Sequence, residues 1–293
     1  MYNKIKLDLH EFKSKFIIMG DKILNQVITI KEIIDNYKNA DIDFENLSLD
    51  KLKKYAEREN KKAQNVLGDK YYNGDEVKQN FQEAIKWYTK SANQGYDVAQ
   101  YNLADMYYCG NGVKQSYEKA IEYFKYSAKQ GNSDAQCNLA CMYEDGLGIE
   151  TNYEQAIKWY EKAALQDDFY AQYNLGNLYM YGKGVGVDYK EAFNWHMRAS
   201  ILGYTKSQNT LGYMYEHGLG IGKNYKEAFL CYQKAAEQGY QYAQYNLATM
   251  YYLGNGIMQD QKAAYIWYKK AAEQGFKEAI IALKTKYKEM TML

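Results

Sequence analysis

Two columns of residues recur along this chain at a step of 36. Leu67, Leu103, Leu139, Leu175, Leu211, Leu247 and Leu283 form one, and Tyr71, Tyr107, Tyr143, Tyr179, Tyr215, Tyr251 and Tyr287 the other. A fixed period of a few tens of residues dictates a repeat architecture before any local feature is weighed. Six full units fit the sequence, at 63–98, 99–134, 135–170, 171–206, 207–242 and 243–278. Half-units flank them, Ser48 to Asn60 before and Phe276 to Met290 after, both with apolar positions suited to covering a terminal face.

Each unit reads as two helices. In Ala99-Gln100-Tyr101-Asn102-Leu103-Ala104-Asp105-Met106-Tyr107 the Ala, Leu and Tyr fall four apart, on one helical face. This first helix stops at Gly74, Gly110, Gly146, Gly182, Gly218 or Gly254, where a left-handed residue closes a helix without a Cβ clash. The second starts at Asn80, Ser116, Asn152, Asp188, Asn224 or Asp260, side chains that accept the free amides of a first turn. Glu83, Gln155, Glu191 and Glu227, three residues on, predict capping boxes. Small residues (Ala84, Ala120, Ala156, Ala192, Ala228, Ala264) then admit a neighbouring helix, and three residues later Trp87, Tyr123, Trp159, Trp195, Cys231 and Trp267 fill space. A helix pair this small cannot bury its own apolar face, so units must stack into a curved rod.

The run from Ala135-Gln136 through Leu139, Tyr143, Gly146-Leu147-Gly148-Ile149, Asn152-Tyr153, Ala156 and Trp159-Tyr160 to Ala163-Ala164 resembles a Sel-one-like repeat. The paired glycines between the helices separate that family from its tetratricopeptide relatives, and the resemblance covers roughly residues 48–290. It implies an all-α, right-handed α/α superhelical solenoid acting as an adaptor or scaffold. Glu76, Asp167 and Cys231 depart from the pattern, replacing a loop glycine, a helix-ending glycine and a tryptophan.

Residues 1–47 lie outside the repeat. Ile5, Leu7 and Leu9 alternate like a strand, and Asp21 to Asn39 predicts an amphipathic helix through Ile23, Val27, Ile30 and Ile34. This extension is read as a cap on the first units or as an element for dimerisation or docking. The oligomeric state is left open.

Composition narrows the partners. The net charge is +1, and only Arg58 and Arg198 carry the guanidinium that reads phosphates and guanines, so nucleic acid is not expected. No lysine block stands clear of acidic residues, which removes the polybasic signal for a membrane surface. Cys109, Cys137, Cys141 and Cys231 form no regular disulfide framework. With charges at Lys4, Lys6, Asp8, Glu11, Lys13 and Lys15 and no signal-peptide core, a cytoplasmic location is expected.

In stacked pairs the first helices line the concave side. The groove positions there differ sharply between units, as a recognition surface would. Unit one offers Lys62, Asn65, Asp69, Tyr72 and Asn73; unit two Val98, Tyr101, Asp105, Tyr108 and Cys109; unit three Asp134, Glu144 and Asp145; unit four Tyr170, Tyr173, Asn177 and Tyr181; unit five Lys206, Asn209, Tyr213, Glu216 and His217; unit six Tyr242, Tyr245, Thr249 and Tyr252. Tyrosines with carboxylates suit a peptide or protein segment carrying Lys or Arg, through stacking, cation contacts and pairing. Asn102, Asn138, Asn174 and Asn246, each just before the repeat leucine, are placed as related tetratricopeptide folds place peptide-backbone clamps. The bland alternative is that these asparagines satisfy neighbouring helices and the tyrosines merely cover the solenoid.

Catalysis is not expected, and neither is a cofactor or metal. Cys137 and Cys141 lie four apart, but zinc needs further ligands and the chain has only His10, His196 and His217. Both cysteines read as small groove residues, and His196 as a packed substitute in a column of Tyr88, Phe124, Tyr160, Tyr232 and Tyr268. A binding scaffold is the leading reading. A hydrolase of the cysteine-rich kind within the family and a purely structural oligomer subunit are the alternatives.

Overall fold

A computed structural model describes residues 42–287. Every regular element among them is an α-helix. The strand-like alternation at Ile5 to Leu9 and the helix expected over Asp21 to Asn39 lie outside the described residues. The chain divides into two compact units, Met1–Lys54 and Tyr55–Leu293. In the first, the Asp43 carboxylate accepts from the backbone amides of Glu45 and Asn46, folding a turn ahead of α1 (Leu49–Glu57).

The second unit is the solenoid. Its first helices, called A, are α2 (Lys61–Asn73), α4 (Asp97–Cys109), α6 (Ser133–Asp145), α8 (Phe169–Tyr181), α10 (Thr205–His217) and α12 (Gln241–Leu253). The paired B helices are α3 (Phe81–Asn93), α5 (Tyr117–Lys129), α7 (Tyr153–Ala164), α9 (Tyr189–Ile201), α11 (Tyr225–Glu237) and α13 (Gln261–Glu273). A last A-type helix, α14 (Lys277–Lys286), packs on α13. Each helix touches mainly its predecessor and successor, the nearest-neighbour pattern of a stacked array.

The punctuation works as the sequence predicts, with one correction. The six A helices all end on a left-handed glycine, from Gly74 (φ 85) to Gly254 (φ 75). The six expected B-helix caps all accept first-turn amides. The capping boxes expected of Glu83, Gln155, Glu191 and Glu227 do not close. The cap residue's own N–H, which such a box would use, instead donates to the carbonyl of the repeat tyrosine: Asn80 to Tyr71 at 2.8 Å, Asn152 to Tyr143 at 2.8 Å, Asn224 to Tyr215 at 2.8 Å. The tyrosine column thus sets the A–B loop through its backbone.

A second loop glycine answers to packing between repeats. A Cβ on Gly184 (φ 71) would lie 2.1 Å from Tyr153 Cβ at the start of the preceding B helix. In repeat one Glu76 holds that place at φ 60, and its carboxylate takes Lys70 Nζ at 2.6 Å.

The core is columnar. Leu67, Leu103, Leu139, Leu175, Leu211 and Leu247 are buried, as is the whole B-helix alanine column. A third buried column is polar. Gln64, Gln100, Gln136, Gln172, Gln208 and Gln244 each send Nε2 to a carbonyl of the preceding B-type helix, at 3.0 Å for Ala56, Ala128 and Ala164. In five repeats the same side chain's Oε1 then accepts from the glutamine that ends its own B helix: Gln94, Gln130, Gln166, Gln238 and Gln274, at 2.7 to 2.9 Å. One side chain thereby bolts three helices together. In repeat four the terminal glutamine is replaced by Leu202, and Gln172 Oε1 is buried with no partner among the described residues.

The repeats serve as one another's controls. An orphaned buried acceptor costs about 1–3 kcal/mol, so Gln166→Leu is expected to lower the unfolding free energy by about that amount. Leu202→Gln, which completes the missing bolt, should raise it by about 1 kcal/mol. Urea unfolding of both variants measures the two changes.

Candidate functional site

The residues expected to line the groove all lie on A helices, and all of them except Asn65 and Cys137 keep some exposure. Asp145 is exposed, as are Tyr170 at 55%, Tyr181 at 65% and Tyr213 at 42%. Tyr101, Asn102, Asp105, Tyr108, Asn138, Glu144, Tyr173, Asn174, Asn177, Glu216, Tyr245, Asn246 and Tyr252 are half-buried. Most A-helix positions outside the buried leucine, alanine and glutamine columns and the column of Met106, Met142, Leu178, Met214 and Met250 remain on the surface.

Beneath them runs a row of B-helix aromatic side chains. Tyr88, Tyr160, Tyr232 and Tyr268 are buried, and their phenols reach the A-helix face. Tyr88 donates to Asp69 at 2.7 Å, Tyr160 to Glu144 at 3.0 Å and Tyr232 to Glu216 at 2.9 Å; Tyr268 shares a 2.9 Å bond with Thr249. Burial is the main reason the Tyr88, Tyr160 and Tyr232 phenols stay protonated, with the neighbouring carboxylates pushing the same way for Tyr88 and Tyr232. These tyrosines fix the acidic side chains.

The asparagines are engaged too. Asn102 Nδ2 donates to Asn65 Oδ1 at 3.0 Å and Asp69 Oδ1 at 3.2 Å, Asn174 Nδ2 to the Tyr160 hydroxyl at 3.3 Å, and Asn246 Nδ2 to Asn209 Oδ1 at 3.1 Å. Asn138 bonds the Tyr101 hydroxyl, whose pKa burial pushes up to about 12. Their amide groups tie each repeat to the one before.

Three acidic side chains therefore have named partners: Asp69 has Asn65, Tyr88 and Asn102; Glu144 has Tyr160 and Lys183 (3.5 Å); Glu216 has Tyr232. Asp105 differs. Phe124 replaces the tyrosine beneath its repeat and offers no hydroxyl. Among the described residues its one side-chain bond is a long contact from Cys109 Sγ at 3.8 Å, and no Lys or Arg comes within ion-pair distance. Burial raises its pKa above the usual carboxylate range. Tyr101 precedes it by four residues and Tyr108 follows by three, so all three share one stretch of helical surface.

Aromatic residues gather further along. Tyr170 and Tyr173 meet Tyr204 edge-on, at centroid distances of 5.3 and 5.2 Å, and Phe169 joins them. Tyr242 meets Phe276 edge-on and Tyr245 meets it tilted. Tyr252 carries Lys286 Nζ 3.9 Å above its ring. Tyr204 and Phe276 were not expected here. Both occupy A-helix cap positions where Asn60, Asn132 and Asp168 make side-chain bonds and these two make none. An aromatic residue in a capping column was the available signal.

Six consecutive Sel1 repeats match the chain, at residues 61–96, 97–132, 133–168, 169–204, 205–240 and 241–276. The chain belongs to the Sel1 repeat family. The array typically serves protein–protein interaction, and the family is generally a non-catalytic scaffold. Among solved structures this Sel1 chain is similar to a protective antigen of uropathogenic Escherichia coli strains with an SLR fold (36% identity, TM-score 0.80, covering 83% of this chain and 53% of that one). It is also similar to a Sel1 repeat protein from Oxalobacter formigenes (32% identity, TM-score 0.68, 74% and 89% covered). The Sel1 chain thus spans about half the length of the first and most of the second. No curated protein sequence matches it.

Among the described residues no group of three His, Cys, Asp or Glu is disposed to hold a metal, and no helix is long and apolar enough to cross a membrane. Cys137 is not a groove residue: it is buried in the cluster of Tyr160, Leu175 and Leu178, while Cys141 packs at that cluster's edge. His196 is fully buried, edge-on to Tyr173 at 5.5 Å, with Nδ1 3.4 Å from Ser207 Oγ.

Burial lowers the His196 pKa to about 4, from an ordinary 6.5. The folded chain keeps the ring neutral, whereas the unfolded chain takes up a proton below 6.5, so this stability is full above pH 6.5 and lost as pH falls toward 4. The loss is expected to be on the order of 3 kcal/mol. Chemical denaturation of His196→Phe across pH 4 to 7 should lack that component.

Proposed function

We propose that this chain is a non-catalytic binding scaffold that holds a protein or peptide segment bearing Lys or Arg along its A-helix groove. Asp105 carries the reading. A half-buried carboxylate with a raised pKa is a cost to the fold at neutral pH, relieved only as the group protonates. Sites that oppose stability in this way are where function is sought. A cationic side chain would restore the missing pairing, and Tyr101 and Tyr108 offer ring faces for its stem and charge. Asp134, Glu144 and Asp145 extend the acidic character toward repeat three. The rings around Tyr170, Tyr173, Tyr181 and Tyr204 would take apolar parts of the same segment.

The clamp role suggested for Asn102, Asn138, Asn174 and Asn246 is narrowed by their engaged amides. Their carbonyl oxygens remain the groups to meet a ligand backbone N–H. A cytoplasmic setting accords with the unpaired cysteines.

Asp105→Asn separates binding from folding. The variant should be at least as stable as wild type at pH 7, since it removes a desolvated charge, yet bind basic peptides at least about tenfold more weakly. Fluorescence anisotropy against matched peptides in which Lys is exchanged for Gln or Glu measures this. Wild type should prefer the Lys series and lose that preference as salt screens it. Equal binding of all three series would refute the charge preference.

A further inference from the structure

The edge of the solenoid where the B helices end is polar in four repeats and apolar in two. One column of that edge reads Asn93, Lys129, Leu165, Ile201, Glu237 and Glu273, and the next reads Gln94, Gln130, Gln166, Leu202, Gln238 and Gln274. The three aliphatic replacements fall in successive repeats and stand in solvent, Leu165 at 69%, Ile201 at 76% and Leu202 at 45% exposure. Single exposed aliphatic residues need no explanation. Here the other repeats show what those positions hold when they only face water.

A second observation falls at the same place. Gln172 is fully buried and its Nε2 is spent on the Ala164 carbonyl at 3.0 Å, while its Oε1 has no partner among the described residues. In the five other repeats that oxygen accepts from the glutamine standing where Leu202 stands. The acceptor is thus orphaned in the one repeat where Leu202 stands in place of the glutamine that would meet it.

We infer that Leu165, Ile201 and Leu202 form a second docking surface, separate from the A-helix groove, for a partner segment that presents a hydrogen-bond donor side chain, Gln, Asn or Trp, among apolar residues. The partner's apolar residues cover the patch. Its donor enters as Leu202 turns aside and supplies to Gln172 Oε1 the bond that a glutamine of this chain supplies elsewhere. A buried acceptor left unmet is costly, so a segment lacking the donor is rejected.

Phage-displayed random peptides selected on the full chain, then synthesised and titrated by fluorescence anisotropy, test this. Expected are peptides with Gln, Asn or Trp between aliphatic or aromatic residues. They should lose at least about tenfold in affinity toward Leu202→Gln, toward a Leu165→Lys/Ile201→Lys variant, and when the peptide donor becomes Leu. Leu202→Gln gains a bolt, so its lost binding would not be a folding failure; circular dichroism verifies that the lysine variant stays helical. The inference is overturned if no selected peptide distinguishes Leu202→Gln from wild type, or if those that do tolerate loss of their donor. A concentration-dependent dimer in sedimentation, abolished by Leu202→Gln, would assign the patch to a second copy of this chain and equally overturn it.

Discussion

No repeat of this chain can close a core alone. Each A helix is buried only because B-type helices flank it before and after, and the alanine columns bring those helices together while leucine and tyrosine fill the space between. The glutamine at the second position of each repeat fixes that arrangement in hydrogen bonds, joining the preceding B-type helix, its own A helix and, in five repeats of six, its own B helix. A buried amide tolerates little displacement, because misplacing either end leaves a desolvated polar group unmet. The loop glycines, the aromatic row and the exposed faces all take their positions from this stacking.

Stability is then a sum over neighbours, and every surface position is sampled six times in nearly the same environment. A residue that departs from its column stands against an internal reference. Asp105 above Phe124, His196 among tyrosines and Leu202 among glutamines are all departures of this kind, and each alters a polar group that the other repeats leave satisfied. Binding scaffolds concentrate function where the repeat is broken, since the repeated residues are occupied with holding the array together.

Much of the fold was legible because backbone requirements leave a mark in residue type. A left-handed helix end selects glycine, and a first turn selects Asn, Asp or Ser, so both ends of the loop between Gly74 and Asn80 could be read in every repeat. The capping boxes failed because Asn80 N–H is taken by the Tyr71 carbonyl, a tertiary closure that spacing alone does not encode. The exposed face of the A helices was legible as a set of columns, since helical phase decides which residues the core leaves over. Partnership was not legible. That Asp69, Glu144 and Glu216 are held by phenols while Asp105 is not depends on which residue stands beneath each, 16 or 19 positions further on in the next helix. Cys137 was misplaced because its column is polar or aromatic in other repeats, and only packing shows that the small thiol turns inward.

The claim that the A-helix face is where this scaffold holds its ligand is tested most directly by hydroxyl-radical footprinting of the full chain with and without a bound basic peptide, read by mass spectrometry. Tyrosine is a sensitive target and lies on both faces of the solenoid. Oxidation of Tyr101, Tyr108, Tyr170, Tyr173 and Tyr181 should fall on binding, while that of the B-helix residues Tyr126, Leu230 and Ile266, all exposed, should not change. Protection of Tyr126, Leu230 and Ile266 with the A-helix tyrosines unaffected would contradict the account.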